Sequence, residues 1–207
     1  MTFVFIKGLL GFDSVEPLGF RISYFRDLDR IAAPHGIAFH DPSLPRRMNL
    51  AERAEHIAPY METHDLEDVV LVGHSAGGLV ARYVAANRDP RGRIATVITL
   101  CTPHRGSAVA DWVLTDKGPF PRLVRTLDLP LLTELTTENC ARFNAETPDR
   151  SDVRYLSWAA ARPVREMPFW ARPFARRLMD ASGENDGQVS VSSARWGMFQ
   201  EVLRADH

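Results

Sequence analysis

One serine stands between two glycines at the end of an apolar run, in the stretch VVLVGHSAGG over residues 69–78. A serine on a sharp turn between a buried strand and a helix can act as a nucleophile. Glycines two positions away on either side, here Gly73 and Gly77, allow that turn. The competing interpretation is an ordinary turn in which Ser75 caps the following helix. Strand-like residues before the serine and helical spacing after it favour the nucleophile.

A serine hydroxyl attacks well only when a base takes its proton and an acid orients that base. In serine hydrolases built on a strand–turn–helix, the acid and then the histidine follow the serine along the chain. His74 adjoins Ser75 and is expected to leave the turn in a different direction, and His104 comes too early for an acid to lie between. His207 is therefore the candidate base. The remaining histidines are expected on surfaces or loops: His35, His40, His56 and His64.

The candidate acid is Asp186, in the stretch GENDGQVS. On its own, Asn-Asp-Gly is favourable turn chemistry and needs no catalytic explanation. Asp180 and Glu184 are alternative acids. Asp206 is next to His207, and adjacent residues seldom present their side chains to each other well.

Strands and helices alternate along the chain, which predicts an α/β fold with a mostly parallel sheet and helices on both faces. The length of 207 residues predicts one domain over 1–207. Strands are predicted at Thr2–Ile6, 37–42, 69–72, 93–103 and 153–159. Helices are predicted at 20–36 with Gly36 as its stop, at 49–64 with a capping box of Asn49 and Glu52, and after Ser75.

The composition is that of an ordinary globular protein, and a formal net charge of −1 gives no reason to expect a nucleic-acid partner. Cys101 is expected to be a small core residue, and a bridge from it to Cys140 is a weak alternative. The first residues lack a basic n-region and a small-residue cleavage site, and no apolar run approaches the ~20 residues that span a bilayer. A soluble, cytoplasmic protein is therefore expected.

Several segments, in order, resemble the bacterial true lipases, the secreted triacylglycerol lipases of Pseudomonas and Burkholderia type. FIKGLLGFD is similar to their His-Gly-Leu-x-Gly-Phe-Asp loop, and VGHSAGGLVARYVA to their serine turn and following helix. Further similar segments are TPHRGS, LTTENCARFNAETP, VRYLSWA and ENDGQVSVSSARWG. The resemblance covers most of the chain, with interruptions around 108–130 and 160–182.

The resemblance implies an α/β-hydrolase fold with a small helical lid, and ester hydrolysis without a cofactor. It assigns the acid to Asp186 and the base to His207, and it builds the oxyanion hole from the backbone N–H groups of Leu9 and Ala76. Lys7 replaces the family's histidine before the glycine, which puts the packing and charge of that loop in doubt. The family's aspartate that holds part of a structural calcium has no counterpart in this sequence, so no metal is expected.

Lid segments are expected within about 108–182. Two interpretations of the arginine-rich stretch 162–181 are open. It is either a packed helix with a solvated basic face or an amphipathic cap that closes an acyl pocket and makes transient contact with lipid interfaces. The residues predicted to line that pocket are Trp112, Phe120, Phe169, Trp170 and Phe174.

The leading hypothesis is a serine carboxylic ester hydrolase, a lipase or esterase, that acts on a small-molecule ester or lipid through an acyl-enzyme. Thioesterases and acyltransferases use the same residues and are alternatives on the same fold. An alternative of a different class is a catalytically silent binding protein with this fold. The metal-protease spacing His-Glu-x-x-His does not occur in the sequence.

Overall fold

The computed structural model describes residues 1–9, 14–15, 22–25, 28–45, 47–127 and 129–207. The strands are β1 (Thr2–Ile6), β2 (Ser14–Val15), β3 (Ile22–Ser23), β4 (Ala38–His40), β5 (Val69–His74), β6 (Ile94–Leu100), β7 (Arg154–Ala160) and β8 (Met198–Leu203). Within the described residues, six of these form one parallel sheet in the order β4-β1-β5-β6-β7-β8. Strands β2 and β3 pair in an antiparallel ribbon.

Helices connect the strands. They are α1 (Leu28–Ala32), α2 (Leu50–Thr63), α3 (Ala76–Asn87), α4 (Ala108–Thr115), α5 (Pro119–Arg125), α6 (Pro130–Glu134), α7 (Thr137–Glu146), α8 (Arg172–Ser182) and α9 (Val191–Ala194). Short 3₁₀ turns lie at Ala33–His35 and Val164–Glu166. The predicted α/β architecture is confirmed.

The strand order explains where a site can form. The chain runs from β1 outward to β4, returns past β1 to β5, and then continues in the other direction to β8. In open parallel sheets, ligands bind outside the carboxyl ends of the strands at such a reversal. Ile6 of β1 pairs with Gly73 of β5, so the residues that follow these two strands lie side by side at that edge.

The main core lies between the sheet and the helices α2 and α3, which pack against each other. Leu71 and Val97 project from the sheet into this layer, where they join Ile57 of α2 with Leu79 and Val84 of α3. All five side chains are almost completely buried, so this layer fixes the direction of α3 relative to β5.

The predicted capping box starts α2. The side-chain oxygen of Asn49 accepts the backbone N–H of Glu52, and the Glu52 carboxylate accepts the backbone N–H of Asn49. Two N–H groups that have no partner inside the helix are thereby satisfied, which fixes the first turn.

The predicted helix over 20–36 is wrong at residues 22–25, where the chain forms β3 and a bend, and residues 20, 21, 26 and 27 of that prediction lie outside the described residues. Helix α1 covers Leu28–Ala32, and Ile31, which helical spacing would place on a buried face, is 60% exposed. Phe25 packs instead against Phe5 of β1, with ring centroids 5.1 Å apart. Gly36 ends the helical segment with a φ of 62°, as predicted. Helical spacing of apolar residues was misleading because Phe25 packs on strand β1 while Ile31 faces solvent.

The structure also decides two smaller points. Cys101 and Cys140 are both free and buried, so the disulfide alternative is wrong. None of the described helices has the length and apolar character needed to cross a membrane. Strand β8 and helix α9 were not predicted from the sequence.

Candidate active site

Ser75 lies at the sharp turn between β5 and α3. Its φ of 53° and ψ of −131° are a backbone conformation that residues with side chains seldom adopt. A Cβ at Gly73 would come within 2.4 Å of the Gly78 backbone, and a Cβ at Gly77 would lie 2.1 Å from the carbonyl oxygen of Ile6. The close approach of strand, turn and helix therefore requires both glycines of the sequence motif.

Hydrogen bonds from the neighbouring strand hold this turn. The Ser75 N–H donates to the Leu100 carbonyl at 2.8 Å, and the Thr102 hydroxyl donates to the Ser75 carbonyl at 2.8 Å. Ser75 is only 7% exposed and lies at the floor of a cavity. Ala76 is the first residue of α3, where backbone N–H groups lack partners inside the helix and can bind a negative oxygen.

Asp186 lies in a tight loop after α8 that orients its carboxylate. Oδ1 accepts backbone N–H groups from Gln188 at 2.9 Å and Val189 at 2.7 Å. Oδ2 lies 2.8 Å from Nδ1 of His207. The His207 backbone N–H also donates to the Asp186 carbonyl at 3.0 Å. The structure thus brings the predicted acid and base into direct contact in a buried position.

The other candidates from the sequence lie elsewhere. Asp180 and Glu184 are exposed, and the Asp206 carboxylate lies 3.5 Å from the guanidinium of Arg162. His104, which its chain position excluded as the base, is fully buried in the interior. None of these three carboxylates competes with Asp186 for the imidazole of His207.

A cavity of about 520 Å³ opens beside Ser75. Leu9, Phe25 and Leu100 supply apolar walls, and Ser75 and His207 share its lining. Leu9 follows β1, and the ends of β1 and β5 lie side by side. Leu9 is therefore expected near Ser75, and it does line the cavity. The described structure therefore gathers the serine, the histidine and both residues of the expected oxyanion hole at one edge of the sheet.

The five aromatic residues predicted to line an acyl pocket are not among the described residues that line this cavity. Trp112, Phe120 and Phe174 contact one another, with ring centroids 5.3 to 5.9 Å apart. Phe169 and Trp170 are 81% and 59% exposed. Because α4 and α8 pack on each other, their aromatic side chains meet between the helices, and residues near the strand ends form the cavity wall instead.

His74 lines the same cavity, and the expectation that its side chain leaves the turn in a direction different from that of Ser75 stays a prediction. Its Nδ1 is 2.6 Å from the Tyr24 hydroxyl oxygen, and the backbone N–H of Gly8 donates to that oxygen at 3.2 Å. Its ring centroid is 4.9 Å from that of His207. Burial, together with the neighbouring His207, lowers the pKa of His74 to about 4, so the ring is neutral at pH 7.

Cys101 follows β6 and adjoins the acid. It is buried as predicted, but its φ of 52° is unusual for a residue with a side chain. Burial raises the pKa of its thiol, and the adjacent carboxylate of Asp186 raises it further. The thiol is therefore protonated at neutral pH. No feature of the sequence indicated this contact.

Lys7, the departure from the lipase pattern, is buried against Asp41, with its Nζ 2.6 Å from Oδ1. The carboxylate of Asp41 thus neutralises the charge of Lys7. Arg53 of α2, which is also buried, donates from Nη1 to the carbonyl oxygens of Lys7 at 3.4 Å and Gly8 at 3.2 Å. These contacts position the backbone that leads into Leu9. No pattern in the sequence indicated this role of Arg53.

Comparisons with known proteins agree with this architecture. Residues 33–117 match the family model of a PGAP1-like alpha/beta domain. Triacylglycerol lipase 2 of Saccharomyces cerevisiae is 33% identical over 142 residues, which cover 66% of this chain and 44% of that protein. The triacylglycerol lipase of Vibrio cholerae is 27% identical over 249 residues, covering 99% of this chain and 76% of that protein. The chain therefore spans less than half the length of the yeast relative.

A solved structure extends the comparison to the fold. The mature form of Bacillus licheniformis lipase BlEst2 superimposes with a TM-score of 0.82 at 23% identity, covering 100% of this chain and 84% of that chain. The strand order and the serine turn, together with this superposition, define the fold as that of the α/β-hydrolases. In sequence the chain is similar to lipase-like proteins, as the resemblance implied.

Proposed function

We propose that this protein is a carboxylic ester hydrolase that works through an acyl-enzyme, with Ser75 as nucleophile, His207 as base and Asp186 as orienting acid. The observation that carries the proposal is the 2.8 Å contact between His207 Nδ1 and Asp186 Oδ2, at a cavity that Ser75 also lines. The two relatives named as triacylglycerol lipases support the reaction class.

The hydrogen bond to Asp186 determines how His207 acts. Because the carboxylate accepts a hydrogen bond from Nδ1–H, the lone pair of Nε2 is left to take the hydroxyl proton of Ser75. The Ser75 oxygen then attacks the carbonyl carbon of the ester, and the imidazolium returns the proton to the departing alcohol. A water molecule then attacks the acyl-enzyme in the same way, and the carboxylic acid product is released. The two N–H donors to Asp186 Oδ1 keep its other oxygen directed at the ring throughout.

The negative oxygen of the tetrahedral intermediate is held by the backbone N–H groups of Leu9 and Ala76. The position of Ala76 at the start of α3 and the position of Leu9 at the cavity support this role. One such donor contributes roughly 3–4 kcal/mol to transition-state stabilisation. Arg53 acts as a positioning residue here, because it holds the carbonyl oxygens of Lys7 and Gly8 that precede Leu9.

The substrate is an ester with an apolar acyl group. The apolar wall from Leu9, Phe25 and Leu100 supports this choice, and a volume of about 520 Å³ suits a short or medium acyl chain. The outer aromatic residues, above all the exposed Phe169 and Trp170, contact the part of a longer chain, or of a lipid surface, that extends beyond the cavity. The cytoplasmic location expected from the sequence stays a prediction.

The test combines a fluorophosphonate probe with hydrolysis of nitrophenyl esters and thioesters of increasing chain length. We expect Ser75→Ala to abolish labelling and to lower ester hydrolysis at least 10³-fold, because losing a serine nucleophile removes several orders of magnitude in rate. Ser151→Ala, at an exposed turn, is the matched control and should behave as wild type.

Three outcomes have distinct meanings. A Ser75→Ala variant that keeps a tenth of the wild-type rate would contradict the assignment of the nucleophile. A wild-type protein that is neither labelled nor active would indicate the silent binding protein. Faster turnover of thioesters than of matched esters would favour a thioesterase over an ester hydrolase.

A further inference from the structure

Two side chains that the proposed hydrolysis does not use lie beside His207. His74 ends β5, Cys101 follows β6, and one ligand atom from each of the three residues lies within 4.8 Å of the others. Within the described part of the chain, this is the group of three or more histidines, cysteines and carboxylates with the spacing of a metal site. Two imidazoles and a thiol are ligand types that zinc prefers, whereas calcium and magnesium take oxygen atoms.

The hydrogen bonds of both rings suit metal binding. Nδ1 of His207 is engaged by Asp186, and Nδ1 of His74 lies 2.6 Å from the Tyr24 hydroxyl oxygen. In each ring, Nε2 is therefore the nitrogen left for a metal ion. Histidine ligands of metals regularly have such a carboxylate or oxygen partner on the second nitrogen, which fixes the tautomer and the ring direction.

The spacing requires a modest contraction. A tetrahedral zinc ion with bonds of about 2.0–2.3 Å holds neighbouring ligand atoms roughly 3.3–3.8 Å apart. The present separations of up to 4.8 Å between one donor atom of each residue exceed this by about an ångström, so zinc binding requires the three side chains to shift toward one another. The cavity beside Ser75 leaves room for a water molecule or a substrate oxygen as the fourth ligand.

We propose that His74, Cys101 and His207 form an inhibitory site for Zn²⁺. Binding replaces the thiol proton of Cys101, which passes to solvent, by a sulfur–metal bond, and no electrons are transferred. The ion also occupies Nε2 of His207, so the imidazole can no longer take a proton from Ser75. Zinc binding itself depends on the three side chains alone, while the inhibition rests on the proposed hydrolase function.

The binding experiment uses the full chain, stripped of metal and kept reduced, in competition with a chromophoric zinc chelator. We expect one Zn²⁺ per chain, bound at least tenfold more weakly by Cys101→Ser and Cys101→Gly. Glycine suits the φ of 52° at this position, so the second variant retains the fold. Cys140→Ser is the matched control, because Cys140 is also free and buried but lies on α7. It should bind zinc as wild type does.

A second measurement identifies the sulfur ligand. With Co²⁺ in place of Zn²⁺, the wild type and Cys140→Ser should show a thiolate-to-metal charge-transfer band that both Cys101 variants lack. Equal zinc affinity in wild type and both Cys101 variants, or no stoichiometric binding at all, would overturn the proposal. Binding at surface histidines would produce the first of these results.

The activity experiment compares each variant with its own metal-free rate on a short-chain nitrophenyl ester. Zinc should inhibit the wild type and Cys140→Ser, with reversal by a chelator, and Cys101→Gly should need at least tenfold more zinc for the same inhibition. Zinc bound through Cys101 without inhibition would refute the inhibitory role. If neither the wild type nor any variant hydrolyses an ester, the proposed function fails, and the binding experiment still decides whether the metal site exists.

Discussion

The floor of the cavity and the outer helices are held by different kinds of contact. At the floor, strand and turn approach so closely that Gly73 and Gly77 admit no side chain, and Asp186 is 2% exposed with its carboxylate bonded on both oxygens. In the outer region, comprising 108–134 and 164–182, several large aromatic side chains face solvent, and Phe169 is 81% exposed.

This difference matches what each region must do. Acyl transfer needs reacting groups held within a fraction of an ångström, which close packing and buried hydrogen bonds provide. Contact with an acyl chain of variable length needs apolar surface without a unique geometry. We therefore expect substitutions at the floor to cause large losses in rate or stability, and substitutions in the outer region to change substrate preference modestly.

The largest expected effect is that of Asp186→Asn. An amide leaves the loop nearly isosteric but does not stabilise the imidazolium of His207, so we expect the kcat of a short-chain ester to fall about 10³–10⁴-fold. Asp180→Asn and Glu184→Gln, both at exposed positions, are the controls and should stay within about twofold of wild type. A larger loss in either control would indicate that the orienting acid is Asp180 or Glu184 and not Asp186.

The second effect concerns stability. Gly77→Ala would place a Cβ 2.1 Å from the Ile6 carbonyl oxygen, so we expect about 3 kcal/mol lower free energy of unfolding or no folded protein. Gly183→Ala, at the end of α8, meets no atom within 4 Å, so only the backbone strain of its φ of 82° remains, about 1–2 kcal/mol. Urea unfolding measures both variants. Equal losses would show that the floor is no more tightly packed than the outer region.

The third effect tests the positioning role of Arg53. Lysine keeps the charge but loses the planar fork that reaches the carbonyl oxygens of Lys7 and Gly8, so we expect Arg53→Lys to lower kcat roughly tenfold with little change in KM. Arg88→Lys, whose guanidinium pairs with Glu55 on the surface, is the matched control. If Arg53→Lys has a lower melting temperature but an unchanged kcat at 25 °C, then Arg53 stabilises the fold and does not position the catalytic groups.

The smallest effect concerns the outer aromatic residues. Phe169→Ala should leave the free energy of unfolding within about 0.5 kcal/mol of wild type and acetate ester hydrolysis unchanged, because the ring is exposed and outside the cavity. Hydrolysis of long-chain esters should fall about tenfold, as expected for a lost apolar contact. Phe174→Ala, which breaks the cluster with Trp112 and Phe120, should instead lower stability by about 1–2 kcal/mol. Equal loss on every ester for Phe169→Ala would contradict the contact with the acyl chain.

The sequence by itself determined the elements that depend on local sterics and local hydrogen bonds. The glycines around Ser75, the capping box of Asn49 and Glu52, and the buried strand β5 all follow from residues close together in the chain. The order of Ser75, Asp186 and His207 was also readable, and the structure brings the last two into contact, although their catalytic roles stay predictions. The alternation of strands and helices was enough to predict the α/β fold.

Only the tertiary structure decided what surrounds these residues. Tyr24 and His74 form a hydrogen bond across 50 positions of sequence, and Arg53 reaches carbonyl oxygens of the loop before Leu9 from another element. Cys101 is likewise far from Asp186 in the sequence, yet its thiol adjoins that carboxylate. Periodicity records which side of an element is apolar, but not which distant element covers it. For that reason the cavity wall and the metal-binding group were invisible in the sequence, while the turn that carries Ser75 was not.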